Sequence, residues 1–249
     1  MRLKPDGNSW FLKYILQPNE YNLLVNEMVG VALAHHFGIP YASAALATID
    51  PDSFSEGDFK FNKLATAGSV CFASREIENT DIVNELETVE DRPDFNKLSN
   101  PSDLIKISLF DMLTDNIDRC RKNNYNILFK KDSNTFIAID HALIFSGNDR
   151  SGIFDPNHAV SVYSNIMQTP YFKKIVKFIP EDERKRVFDE FMYLCNSEIV
   201  TIIADVFSEV PPSWILSAGL KDNMAGFLLD DSRINSIKKL ALPELVAIK

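Results

Sequence analysis

Three cysteines in 249 residues, Cys71, Cys120 and Cys195, are too few and too scattered for a disulfide framework or a zinc site. A reducing compartment is the natural setting for such a chain. No apolar run reaches membrane-spanning length, and the N-terminus has no signal-peptide pattern, so a cytoplasmic protein is expected. Repeats and low-complexity tracts are missing. Positive charge is also in short supply. With a net charge of −9, neither a broad nucleic-acid surface nor attraction to an anionic membrane is expected. What is present is an ordinary globular composition, 45% hydrophobic and 24% charged, in a chain long enough for one or two lobes.

The most informative stretch runs from Asp118 to Asp140. Asp118 is followed by amides at Asn123, Asn124 and Asn126, then by the apolar run Ile127-Leu128-Phe129. A polar turn, Lys131-Asp132-Ser133-Asn134, leads into Phe136 to Ile139, and the run ends on Asp140. Two strand-like runs about a short polar turn predict a β-hairpin. A hairpin brings its two ends together, so Asp140 should lie near Asn123 and Asn126. Carboxylate and amide oxygens gathered in this way suit Mg²⁺.

Upstream, Asp6-Gly7-Asn8 before Trp10-Phe11-Leu12-Lys13 predicts a hairpin turn entering a strand. On the strand pattern alone, Lys13 belongs to the solvated face of an edge strand. Residues 22–37 then predict a helix with Leu23, Leu24, Met28 and Val31 on its apolar side, closed by Gly38 and Pro40. Glu27 falls on or beside that stripe, where a carboxylate needs a partner, and Lys13 is the candidate. A glutamate at the helix edge facing water fits the periodicity equally well. His35 and His36 have no metal-ligand spacing and receive no role.

Strands are expected over 42–49 and 68–74, and the acidic, polar stretch 75–100 marks a junction. Ser102 is the expected N-cap of a helix carrying Leu104, Ile107, Phe110, Asp111 and Leu113 toward Asn116-Ile117-Asp118-Arg119. Asp111 and Asp115 are one turn apart, so at least one should be solvated or paired, with Arg119 or Arg121 as partner. Helices are expected from Glu181 to about Phe207, near 222–230 and near 232–240. The expected fold is therefore α+β with two lobes: residues 1–77 form a β-rich lobe with one helix, and residues 78–249 form a larger helical lobe holding the hairpin.

These residues resemble the HipA-like kinases, and more broadly the protein-kinase and phosphatidylinositol-kinase superfold. The resemblance rests on Asp6-Gly7 before Trp10-Phe11-Leu12-Lys13, and on Asn26-Glu27 with Leu33-Ala34 and Phe37-Gly38-Ile39-Pro40. It continues through Asn116-x-Asp118-Arg119-x-x-x-Asn123, Asn126-Ile127-Leu128 and Ile139-Asp140-His141, to Pro211-Pro212-Ser213-Trp214. It implies an ATP- and Mg²⁺-dependent kinase acting on Ser/Thr of a protein. Lys13 would contact the ATP phosphates and Glu27 would orient it. Asp118 would orient the acceptor hydroxyl and take its proton. Asn123 and Asp140 would hold Mg²⁺, with Asn126 as a further ligand. The backbone of Phe72-Ala73-Ser74 would meet adenine.

Two features depart from the family pattern. Cys120 and Asn124 replace more usual residues, and the sequence from Met1 shows no glycine-rich phosphate turn before the first strand, which bears on ATP affinity and turnover more than on fold. Two alternatives are a non-catalytic interaction module and a small-molecule phosphotransferase of the aminoglycoside-kinase type. The latter usually carries His-Gly-Asp where this chain has Asn116-Ile117-Asp118.

Overall fold

The computed structural model describes residues 2–3, 7–15, 17, 20–50, 68–83, 91–116, 118–119, 125–145, 160–162 and 165–248. Strands β1 (Arg2–Leu3) and β2 (Trp10–Lys13) form the expected N-terminal hairpin, with Leu3 paired to Trp10. Gly7 takes a φ of 78° in the turn, a conformation that a side chain would disfavour. Helix α1 (Tyr21–His36) follows, then β3 (Ala44–Thr48) and β4 (Val70–Arg75). The first sheet has the order β1-β2-β4-β3, with β2 and β3 each antiparallel to β4.

A second sheet begins with β5 (Thr80–Ile82) and is completed by the hairpin β6 (Ile127–Lys130) and β7 (Thr135–Ala138). Between them lie a short helix α2 (Arg92–Phe95) and the buried helix α3 (Asp103–Thr114). The hairpin falls on the two predicted runs, with Ile127 opposite Ala138. The α+β, two-lobe expectation matches this arrangement. One sheet is drawn from residues up to Arg75, the other from Thr80 onward, and helices dominate the C-terminal half.

Helix α1 is central. Val25, Val29 and Leu33 are fully buried, and the Phe37 ring just beyond it stacks on Phe191 at 4.2 Å. Leu23, Met28 and Val31 are only half-buried, so the deep side of the helix is rotated from the expected stripe. The reason is that α1 is buried nearly all round, which erases the amphipathic signal. Ser102 does not cap α3 with its side chain. Asn100 instead ties the first residue of the helix to the hairpin, donating to the Asp103 carboxylate at 2.7 Å and accepting from the Phe136 N–H at 2.8 Å.

The C-terminal helices are α4 (Pro170–Val176), α5 (Glu181–Leu194), α6 (Glu198–Glu209), α7 (Leu220–Leu228) and α8 (Asp231–Ala247). The single helix expected from Glu181 to about Phe207 is two, bent by 62°. Asn196 makes the break by accepting from the Glu198 N–H at 2.8 Å, a local side-chain bond that competes with the helix ladder. The apolar spacing continues across the break, so periodicity did not reveal it. Among the described residues no single helix is long and apolar enough to cross a membrane.

Candidate functional site

Lys13, the last residue of β2, pairs with Phe72 of β4 across the sheet. Its side chain is not a solvated edge lysine. The Nζ donates to Glu27 Oε1 of α1 and to Asp140 Oδ1, the latter at 2.7 Å. Glu27 is buried, and its second oxygen accepts the His141 backbone N–H at 3.0 Å. One glutamate thus ties α1 both to the lysine strand and to the residue after Asp140.

The segment after β7 is seated on α1. Asn26 Nδ2 donates to the Ala142 carbonyl at 2.9 Å. Gly30 leaves room for the His141 ring, against which any Cβ would collide. Asp140 itself has a φ of 57°, the left-handed region, which turns the chain sharply out of the strand. Asp140 therefore leaves the sheet where β7 stops, and its half-exposed carboxylate meets the lysine of the other sheet.

At the other end of the hairpin, Asn126 has a φ of 49°, and its carbonyl accepts the Ile139 N–H at 3.0 Å. Its side-chain amide donates to Asp118 Oδ2 at 3.0 Å. The Asp118 N–H in turn donates to Asn116 Oδ1 at 3.1 Å. Asn126 thus bonds Asp118 directly and, through Ile139, fixes the residue just before Asp140. Asn123 lies outside the described residues.

Electrostatics distinguish the carboxylates. Burial would raise Asp140, but the Lys13 ammonium outweighs it and holds Asp140 down at about 2. Burial pushes Glu27 up to about 7 against the pull of Lys13. Burial would lower Lys13, yet Glu27 and Asp140 together raise it above its ordinary 10.5, so it stays cationic. An ionised, half-exposed Asp140 carboxylate is a hard oxygen donor of the kind that suits a divalent cation keeping water and phosphate ligands. Among the described residues no group of three or more His, Cys, Asp or Glu side chains is arranged to hold a metal ion by itself.

One expected contact needs correction. The backbone of Phe72-Ala73-Ser74 was expected to meet adenine. These residues lie in the centre of the sheet, paired to β2 on one side and β3 on the other. Their N–H and C=O groups are spent on the two ladders. The chain crosses between the sheets further on, over 76–79. Phe72 instead lines an apolar cavity of about 520 Å³ with Met28, Val31, Leu46 and Val206. That cavity contains none of Lys13, Glu27, Asp118 or Asp140, so it is not the polar cleft.

Other residues of the site were only partly legible in the sequence: Arg119 was one of two expected partners for Asp111 or Asp115, and His141 had no assigned role. Arg119 is buried and bonded to Asp111 at 2.9 Å, and Asn116 donates to the same oxygen at 3.1 Å. Asp111 is thus the acid that takes Arg119, one of the two partners expected. Asp115 lies 3.9 Å from Arg233 instead. His141 is fully buried and held well below its ordinary pKa, first by burial and then by Arg119. The adjacency Asp118-Arg119 and Asp140-His141 was the available signal, but nothing in spacing shows that both second members turn inward.

No curated protein matches the sequence. Similar solved structures include two kinases. The proinflammatory kinase CtkA of Helicobacter pylori is 14% identical with a TM-score of 0.49, over 98% of this chain and 93% of that one. HipA of Shewanella oneidensis MR-1, solved with HipB and its operator DNA, is 12% identical with a TM-score of 0.50, over 97% of this chain. This chain spans 61% of that HipA chain, and the likeness shows a shared fold. Residues 3–239 match the family model described as HipA-like kinase, a range that takes in every residue of the cleft, so the chain belongs to the HipA-like kinases and is a kinase-type phosphotransferase.

Proposed function

We propose that this protein transfers the γ-phosphoryl group of ATP, with Mg²⁺, to a Ser/Thr hydroxyl of a protein in the cytoplasm. The observation that carries the reading is Lys13 reaching from the first sheet to Glu27 and Asp140 together. A lysine paired with a helix glutamate and facing a metal-holding acid is the arrangement phosphoryl transfer uses. Two lobes, 1–77 and 78–249, meet at this cleft.

In this reading Lys13 binds ATP phosphates and Glu27 holds its ammonium in place. Asp140, Asn123 and Asn126 would hold Mg²⁺, which supplies charge neutralisation on the phosphates. Asp118, steadied by Asn126 and Asn116, aligns the acceptor hydroxyl and takes its proton. Little covalent work falls to the protein, and positioning with charge does most of it. Base-edge contacts are assigned to the crossing 76–78, because the Phe72–Ser74 backbone is taken up by the sheet.

The test is ATP turnover by the purified chain with and without Mg²⁺, beside Asp118→Ala and Asp140→Ala. Mg²⁺-dependent consumption of ATP that both substitutions abolish is expected. Wild-type consumption equal to a no-protein control would defeat the kinase reading. Turnover retained by both mutants would defeat the residue assignment alone.

A further inference from the structure

The guanidinium of Arg119 occupies the base of the hairpin, where it meets four parts of the chain. Nε donates to Asp111 Oδ1 on α3 at 2.9 Å. One terminal nitrogen donates to the carbonyl of Asn126 and, at 3.1 Å, to that of Ile139. The other lies 3.4 Å from His141 Nδ1. The side chain is 1% exposed, so these contacts form away from water, where a lost bond is costly.

The placement of those four contacts matters more than their number. Ile139 and His141 are the residues on either side of Asp140. Asn126 is the residue whose side-chain amide holds Asp118. Arg119 itself follows Asp118 in the chain. One buried cation therefore brackets Asp140 and braces Asp118, while Asp111 anchors that cation to the most buried helix of the lobe. Asn126 and Asp140 both adopt left-handed φ, of 49° and 57°, a conformation that surrounding contacts must sustain in a non-glycine residue. The carbonyls of Asn126 and Ile139 and the His141 ring are the groups Arg119 holds.

We propose that Arg119, held by Asp111, is the positioning residue of the site: it sets the distance between Asp118 and Asp140 without touching substrate. This rests on the phosphotransfer reading for its catalytic consequence. Lysine cannot substitute. Its single ammonium presents donors from one point, whereas the planar fork reaches α3, both hairpin ends and His141 at once.

The test compares wild type with Arg119→Lys and Asp111→Asn, each first checked for a native circular dichroism spectrum. Amide hydrogen exchange and steady-state kinetics are then measured. In Arg119→Lys, exchange over 126–127 and 138–141 should accelerate about tenfold or more, with α5 and α6 unchanged. The kcat for ATP should fall roughly a hundredfold and the Mg²⁺ concentration for half-maximal rate should rise, while the affinity for ADP without metal stays the same. Asp111→Asn keeps an acceptor for Nε and should show the same pattern in milder form. It also serves if Arg119→Lys fails to fold. A folded variant with wild-type exchange at the hairpin base and wild-type Mg²⁺ dependence would overturn the proposal. Absence of turnover in wild type would defeat the phosphotransfer reading instead, and the exchange pattern would then decide by itself whether Arg119 braces the hairpin.

Discussion

Lys13 Nζ lies 2.7 Å from Asp140 Oδ1, although 127 positions separate the two residues in the chain. The contact joins the first sheet to the exit of the second, and Glu27 closes it from α1. Its partners are charged and its surroundings half-buried, so it is sensitive to any change in the lysine. Lys13→Met keeps the aliphatic stem and removes the ammonium. ATP turnover should fall by roughly a hundredfold or more, the scale seen when one charge-stabilising donor is lost. Far-UV circular dichroism should be unchanged. A variant with near-native turnover would remove Lys13 from the phosphate-binding role.

Two glycines in helices predict opposite outcomes for the same substitution. Gly30 in α1 faces His141, and an added Cβ would run into the ring. Gly30→Ala should therefore destabilise by about 1–3 kcal/mol despite the better helix propensity of alanine. It should also lower turnover, because His141 is the neighbour of Asp140. Gly226 in α7 has nothing within 4 Å of a built Cβ. Gly226→Ala should stabilise by about 0.5–1 kcal/mol and leave activity alone. Chemical denaturation of both variants measures the contrast.

These pairs show which links were legible in the sequence. The hairpin from Ile127 to Ala138 was readable because two apolar runs flank a turn whose residues have few other uses. The ion pair of Lys13 with Glu27 was only half readable. Strand alternation alone placed Lys13 in water, and only the glutamate on the following helix argued otherwise. The bond to Asp140 is a tertiary fact with no local signature. Arg119 was harder still. Its pairing with Asp111 was among the expected options, but its inward turn also depends on the carbonyls of Asn126 and Ile139, which no side-chain pattern reports. The break between α5 and α6 escaped for the opposite reason, since the apolar pattern runs through it unaltered.

The charge on Asp140 gives a pH prediction. Its folded pKa is about 2 against an ordinary 3.8, because the Lys13 ammonium more than offsets burial. A depressed carboxylate contributes stability that is present above the unfolded value and lost as pH falls through the folded one. The contribution should therefore fade between pH of about 4 and about 2. Asp140→Asn removes it, so the stability difference between wild type and this variant should shrink across that window. Urea midpoints at several pH values measure it. A difference that stays constant over the window would show that Asp140 and Lys13 are not coupled.

Arginine burial, rather than arginine pairing, decides the last prediction. Arg233 on α8 is 2% exposed and donates to the Leu113 carbonyl at 2.9 Å and to the Met112 carbonyl at 2.6 Å. It lies over the Phe227 ring at 4.0 Å. It thus satisfies carbonyls in the last turn of α3, the helix that delivers Asn116 and Asp118 to the site. Arg233→Met would preserve much of the apolar contact but leave two buried acceptors without their donor, at a cost of about 1–3 kcal/mol. For a chain of this length that corresponds to a melting temperature lower by roughly 2–10 °C. Arg186 on α5 makes an equally good-looking set of bonds to Glu183 and Glu190, but on the exposed surface. Water and salt replace those bonds at little cost, so Arg186→Met should melt with wild type. Differential scanning calorimetry of the two variants separates the cases. Equal melting temperatures for both would mean that the carbonyls at the end of α3 find other donors, and that α8 does not brace the approach to Asp118.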